Sequence, residues 1–336
     1  MSDMQKHAIA IITNKDDSHA DAVIRYLNQL GRDVFRINTE DIGFRYKAHF
    51  RLSAGGTWTG CLSDEIDRRL DLHQLRVVWL RKPCFEFELG KAFEPEVSRY
   101  VRCELRSLLE TIYSLPKVAW VNNPYTSNCA KSKFQQLILA QSLGLQVPRT
   151  LITNEPTEAR AFFRECDENV LIKAIYNANI TISGMNRAIP SAIVDPETFQ
   201  MFADSISVCP VQLQEYIDKD FELRVTIIKN KVMTVRIDSQ LHEQTKVDWR
   251  MFTELNPHSI YQLPDHIEDT CREFLRKQKL HYGAMDFIVT PRGEYVFLEN
   301  NPFGQYLWLE EKTGLRITME MANLLIELSG LEECDM

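Results

Sequence analysis

Two short apolar runs late in the chain carry oxygen-bearing side chains near or at their ends. GAMDFIV places Asp286 within one run, and YVFLENNPFGQ places Glu299 and Asn301 at the end of the next. In extended chain, residues two apart share a face, so Glu299 and Asn301 point together while Asn300 points away. Three oxygen donors of this kind suit Mg²⁺, which takes a few side-chain oxygens and fills its octahedron with water and phosphate oxygens. The same residues would also make an ordinary solvated strand end.

Two lysines stand on other elements. Lys133 lies near a helix start in AKSKFQQL, and Lys173 interrupts the apolar run VLIKAIY. A buried ammonium without a partner is costly, so Lys173 either faces a cleft that takes an anion or snorkels outward from an edge strand. A third segment, QEYIDKDFELRV, ends an apolar strand over Gln214 to Ile217, continues through acidic residues and reaches Arg224. Backbone groups there could read an adenine edge. Arg224 alternates with Leu223 and Val225, which puts its planar fork on the face away from the core, where it suits phosphate oxygens or is simply solvated. Arg236 on the next strand and Asp248-Trp249-Arg250 in a loop would extend that polar face.

The elements that must position these groups are legible from periodicity. Ala8 to Ile12, Asp33 to Ile37 and Val77 to Leu80 read as buried strands, Asp21 to Leu30 as a helix ending at Gly31, and Glu94 to Leu115 as a long amphipathic helix stopped by Pro116. This is an α/β pattern. A helix over 127–143 ends at Gly144. Strands follow at Val170 to Ile175, Val211 to Tyr216, Leu223 to Lys229 and Val232 to Ile237, with Lys229-Asn230-Lys231 as a hairpin turn. Asp195-Pro196-Glu197 reads as a capped helix start running through Met201. The last third holds a helix over Ile267 to Gln278, strands at Ala284 to Thr290 and Tyr295 to Glu299 joined by Pro291-Arg292-Gly293, and a closing helix from Thr318.

At 336 residues, the chain is long enough for two or three packed subdomains, divided here at 1–120, 121–210 and 211–330. A net charge of -8 argues against a nucleic-acid partner, although a local basic pocket for a polyphosphate remains compatible with it. Eight cysteines include no CxxC pair, so they carry no zinc or redox signature. The N-terminal MSDMQKHAIAIITNKDD lacks the plan of a signal peptide, and no run approaches the roughly 20 apolar residues of a membrane span. We expect a cytoplasmic protein with no membrane partner.

The order of these residues resembles the ATP-grasp ligases: a lysine near a helix start, a lysine in a strand, an adenine-reading segment, an arginine, then Asp and Glu-x-Asn. Further strings resemble the graspetide (microviridin-type) peptide macrocyclases, relatives of the ribosomal-protein glutamate ligases. They are VVWLRKP at 77–83, KFQQLILAQSLGLQVPRTLITNEP at 133–156, VDWR at 247–250 and FLENNPFGQYLWLE at 297–310. The Glu-x-Asn-Pro segment and the pattern Gln136-x₃-Ala140-x₃-Gly144-Leu145-x₂-Pro148 carry the resemblance best. It implies an α/β (α+β) ATP-grasp fold with an N-terminal α/β pre-ATP-grasp domain, a central domain and a C-terminal domain.

The resemblance further implies that Lys133 and Lys173 hold the nucleotide phosphates of ATP. Glu215, Tyr216 and Ile217 would bond adenine through their backbone, and Asp220 would contact the ribose. Asp286, Glu299 and Asn301 would bind Mg²⁺. Arg224, with Lys173 and Arg236, would serve the transferring phosphoryl group. The implied partner is a precursor peptide with a leader segment, docking on the middle domain where the Asp195 to Ser205 helix is one surface; a homodimer is also compatible. One departure stands out: the loop YNANITISGMNRAIP has a single glycine, Gly184, where many relatives have a glycine-rich lid.

A carboxylate is a poor electrophile, and phosphoryl transfer from ATP gives it a leaving group. The first expectation is therefore a macrocyclase that activates Asp or Glu side chains of a ribosomal precursor as acyl phosphates. It would join them to Thr or Ser hydroxyls as esters or to a Lys amine as amides, releasing ADP and phosphate. The alternatives are a ligase adding a free amino acid to a protein or metabolite carboxylate, and a non-catalytic nucleotide-binding module. No Ser/His/Asp or Cys/His constellation is evident, and His242, His258, His266 and His281 are scattered.

Overall fold

The structure is a computed structural model that describes residues 8–89, 93–176, 179–182, 185–252 and 254–330. The first unit comprises β1 (Ile9–Thr13), α1 (Ser18–Gln29), β2 (Val34–Asn38), β3 (Lys47–Leu52), β4 (Trp58–Ser63), β5 (Arg69–Asp71), β6 (Val77–Leu80), α2 (Pro95–Glu110) and β7 (Ala119–Val121). Its sheet is parallel in the order β2-β1-β6-β7. Covered on both faces, β1 is buried throughout, which is why it reads as an unbroken apolar run. Asp17 caps α1 by accepting from the His19 amide, so the helix begins three residues before the expected Asp21. The antiparallel ribbon β3-β4-β5 was not among the expected strands; β3 is largely exposed and its apolar alternation is weak.

The expected helix over 127–143 is two helices, α3 (Pro124–Ala130) and α4 (Lys133–Ser142), with the break at Lys131 and Ser132. Asn123 caps α3 by accepting from the Tyr125 and Thr126 amides. The central region holds β8 (Thr150–Thr153), α5 (Pro156–Glu165), β9 (Val170–Lys173), β10 (Asn179–Ile182), β11 (Met185–Ala188), β12 (Ala192–Val194), α6 (Pro196–Phe202) and β13 (Val211–Glu215). Its sheet runs β12-β9-β13-β8, so β13 belongs with the central strands. α5 and α6 pack together with Phe163 stacked on Phe199 at 4.2 Å. The cap at Asp195 and the Pro196 start of α6 agree with the expectation. Strands β10 and β11 form a hairpin, and Gly184 lies outside the described residues.

The last unit contains β14 (Phe221–Ile228), β15 (Lys231–Ile237), β16 (His258–Tyr261), α7 (Asp265–Lys277), β17 (Tyr282–Val289), β18 (Tyr295–Asn301), α8 (Leu307–Thr313) and α9 (Ile317–Ser329). Its sheet is antiparallel in the order β16-β15-β14-β17-β18. One face buries Leu223, Val225 and Phe287 against α7 and α4. On the other face, Ile228, Val235 and Ala284 share a core with α9, α1 and the first sheet.

Between β18 and α8 the chain passes the C-terminal ends of β1 and β6. There the buried Arg81 donates to the Phe303 carbonyl at 2.5 Å, and His19 Nε2 accepts from the Tyr306 and Leu307 amides at 2.9 and 3.2 Å. Burial pushes the His19 pKa down, which keeps that nitrogen an acceptor. Among the described residues, no helix is long and apolar enough to cross a membrane.

Candidate active site

The central and last sheets face each other across a cleft with about 970 Å³ of empty space, part of it open to solvent. Lys133, Lys173, Glu215, Tyr216, Ile217, Arg250, Asp286 and Glu299 all line it. β9 delivers Lys173, the first turn of α4 delivers Lys133, and the loop after β15 delivers Arg250.

Asp286 on β17 and Glu299 on β18 are direct cross-strand partners, so their carboxylates share a face. A bulge follows at Asp286/Phe287, where pairing skips from Glu299 to Phe297. Asn301 is on the same strand but exposed, and its side-chain oxygen accepts from the Phe303 amide at 2.9 Å, leaving a second lone pair. Two hard carboxylates on adjacent strands, with an amide oxygen at the strand end, form a donor set that fits Mg²⁺.

Four cations surround this pair. Lys133 stands 3.5 Å from Glu299 and Arg250 stands 3.8 Å from it. Arg224 is buried and grips both oxygens of Asp286 through one nitrogen, at 2.9 and 3.0 Å. Lys173 donates to the side chain of Gln214, its neighbour on β13. Burial raises the pKa of Asp286 against the pull of Arg224. Burial would raise Glu299 as well, but Lys133, Arg250, Lys173 and Arg224 together hold its pKa below the ordinary value. Burial pushes Lys173 down to about 8. Cations outnumber carboxylates here, which suits a polyphosphate.

Arg250 is held by Asp248 in a two-pronged pair at 2.8 and 2.7 Å, and Asp248 also accepts from the Ser191 amide at the foot of β12. Gly304 lets the loop after β18 close over Arg224. A Cβ there would lie 2.3 Å from the Ala284 Cβ and 2.9 Å from an Arg224 nitrogen.

At the other end of the cleft, the Tyr216 amide donates to the Asn169 carbonyl at 3.0 Å. Among the described residues no hydrogen bond takes the Ile217 amide, and Ile217 lines this end of the cleft. Asp220 is exposed and outside the cleft lining; the buried pair Lys219–Glu222, at 2.7 Å, lines this end instead. Sequence reasoning missed that pair and Gln214. The signal for Gln214 and Glu222 was an amide or charge inside a strand-like run, as at Lys173, whereas Lys219 lies in the loop between β13 and β14.

Arg236 requires a correction. A turn taking in Lys229-Asn230-Lys231 would set Arg236 beside Arg224, but the turn is one residue shorter, and Ile228 pairs with Lys231. Arg236 therefore faces Leu223, on the side of the sheet opposite Arg224. It stacks over the Phe221 ring at 3.9 Å and pairs with Asp238 at 2.6 Å, away from the cleft.

A family model described as the MvdD pre-ATP grasp domain matches residues 8–128. A Chryseobacterium gregarium RiPP-associated ATP-grasp ligase, solved with ADP and a leader and core peptide, superposes with a TM-score of 0.88 and 29% identity over 95% of this chain and 96% of that one. The macrocyclase MdnC from Microcystis aeruginosa MRC, bound with precursor peptide MdnA, gives 0.84 and 25% over 95% and 99%. The ATP-grasp ligase PsnB, with a precursor variant, Mg and ADP, gives 0.75 and 20% over 96% and 99%, a likeness of fold. No curated protein matches the chain. With its mixed sheets, its N-terminal match and its near-full-length likeness to these enzymes, the chain has the ATP-grasp fold and resembles the RiPP-associated ATP-grasp ligases and macrocyclases.

Proposed function

We propose that the chain activates Asp or Glu side chains of a ribosomal precursor peptide with ATP and closes side-chain esters with Thr or Ser, or amides with Lys. The observation that carries this reading is the cross-strand pair Asp286–Glu299 inside a ring of four cations. The peptide-bound state of the two relatives above supports the choice of substrate. Subdomains at 1–120, 121–210 and 211–330 fit this reading, except that residues 211–215 go with the central one because β13 pairs with β8 and β9.

In this reading the Ile217 amide receives the adenine edge, and Lys133 and Lys173 hold the phosphates. Asp286, Glu299 and Asn301 would hold Mg²⁺, which when bound would supply positive charge against that growing on the transferring phosphoryl group. Arg224, oriented by Asp286 and the loop at Gly304, faces the phosphoryl acceptor. Arg250, oriented by Asp248, neutralises the far side. These groups are fixed before substrate arrives, so little reorganisation accompanies the charge shift. The walls of the cleft keep water from the acyl phosphate until the hydroxyl or amine attacks. Arg236 and Asp220 have no part in this assignment.

With ATP, Mg²⁺ and a cognate precursor, mass spectrometry should show the loss of one water per linkage while ATP becomes ADP and phosphate. Glu299→Gln keeps size but removes charge, and should lower turnover far more than nucleotide affinity. AMP as product would overturn acyl-phosphate chemistry. ADP release with unchanged precursor mass, but with a free amino acid joined to it or to another carboxylate, would move the substrate to that second class.

A further inference from the structure

Two buried carboxamides outside the cleft lining bind only backbone. Gln136 on α4 donates its Nε2 to the Ala130 and Asn300 carbonyls at 2.6 and 2.8 Å, and its Oε1 accepts from the Asn300 amide at 2.8 Å. Asn122, just after β7, accepts on Oδ1 from the His281 and Tyr282 amides at 2.7 and 2.9 Å. Its Nδ2 donates to the Tyr282 and Pro302 carbonyls at 2.8 and 3.2 Å. Each side chain is 2% exposed.

The backbone they hold is that of the two strands carrying the carboxylates. Asn300 lies between Glu299 and Asn301, Pro302 follows, and Tyr282 opens β17. β18 is the edge strand of its sheet, so a row of its backbone groups points away from β17. Apolar packing of α4 on this edge would hold the two together without fixing their displacement along the strand. A carboxamide that takes both the N–H and the C=O of one residue acts as a single rung of a ladder, and so fixes register. Gln136 is also three residues after Lys133, on the same helical face.

We propose that Gln136 is a positioning residue for the metal end of the site, setting where Glu299 and Asn301 stand relative to Lys133, with Asn122 doing the same for β17. This rests on the reading of Asp286, Glu299 and Asn301 as metal donors. It also explains why a glutamine stands at the head of the Gln136-x₃-Ala140-x₃-Gly144 pattern: the position must both donate and accept.

The test is Mn²⁺ binding to the protein–ADP complex, followed by electron paramagnetic resonance, with no turnover required. Gln136→Met keeps length and burial but removes all three bonds. It should weaken Mn²⁺ about tenfold or more, the usual effect of losing a partner that orients a ligand, with metal-free ADP affinity within about twofold of the parent on the same grounds. Should Gln136→Met fail to fold, Gln136→Asn, which keeps the carboxamide one methylene short, should show a smaller loss in the same direction. A lower melting temperature with unchanged Mn²⁺ affinity would make Gln136 merely structural and overturn the proposal. Glu299→Gln separates the two ideas. If it leaves Mn²⁺ binding intact, the metal reading fails and this inference with it; if it weakens Mn²⁺ while the Gln136 variants do not, only the inference fails.

Discussion

Nucleotide binding should take up a proton on Lys173. In the free protein, burial holds this ammonium at a pKa of about 8, against an ordinary 10.5. Polyphosphate oxygens beside it favour the charged form and restore the higher value. Below pH 8 the lysine is already charged and little uptake occurs. Between about 8 and 10.5, binding must add the missing proton, so affinity falls as pH rises. With Lys173 about one-tenth charged near pH 9, affinity should be roughly tenfold weaker than near neutrality, about 1.4 kcal/mol. Titration calorimetry in two buffers of different ionisation heat counts the protons, and about half a proton is expected near pH 8. In the free protein the same depressed pKa weakens the fold while the lysine is charged, below about pH 8, and that cost fades as pH rises toward 10.5. Lys173→Met should therefore leave the apo protein at least as stable, abolish ATP turnover and lose the pH dependence. Equal proton uptake in parent and Lys173→Met would refute the reasoning, and full turnover in the variant would remove Lys173 from the site.

Gly304→Ala places a methyl 2.3 Å from the Ala284 Cβ and 2.9 Å from an Arg224 nitrogen. It should cost about 1–3 kcal/mol in urea unfolding, the range for overpacking, and lower turnover with it. Arg236→Ala removes a contact over Phe221 and a partly exposed ion pair. A stability loss of about 0.5–1 kcal/mol with nearly unchanged turnover is expected, and a large fall in turnover would return Arg236 to the site. Glu197→Lys reverses an exposed charge on α6. If the leader docks there, precursor affinity should drop while nucleotide affinity holds; an unchanged precursor affinity would leave Glu197 with only its role in the helix's acidic first turn.

Much of this was legible because burial leaves a local signature. The run Ile9 to Ile12 reads as a strand since both faces of its sheet are covered, and Lys173 stands out because it breaks such a run. Asp286 and Glu299 were each placed on strands from sequence, but their pairing was not, since register depends on where β17 and β18 bulge. Arg236 shows how little suffices to mislead. One residue fewer in the turn at Lys229-Asn230 moves every side chain of β15 to the other face. The break at Lys131–Ser132 was hidden because the apolar spacing continues across it. The Gln136–Asn300 and Asn122–Tyr282 contacts span 164 and 160 residues of sequence, a separation no local pattern encodes.

The segment 303–307 ends up where open α/β sheets ordinarily receive a ligand, at the crevice between strands leaving in opposite directions from β1. In this chain the occupant is covalently its own. The N-terminal unit is thus not an interchangeable cassette: a chimera that imports it from a relative must keep a donor where Arg81 stands and an acceptor where His19 stands, since they meet backbone groups of Phe303, Tyr306 and Leu307. Otherwise a foreign socket would meet a native plug, and the strand exit carrying Asn301 would lose its seat.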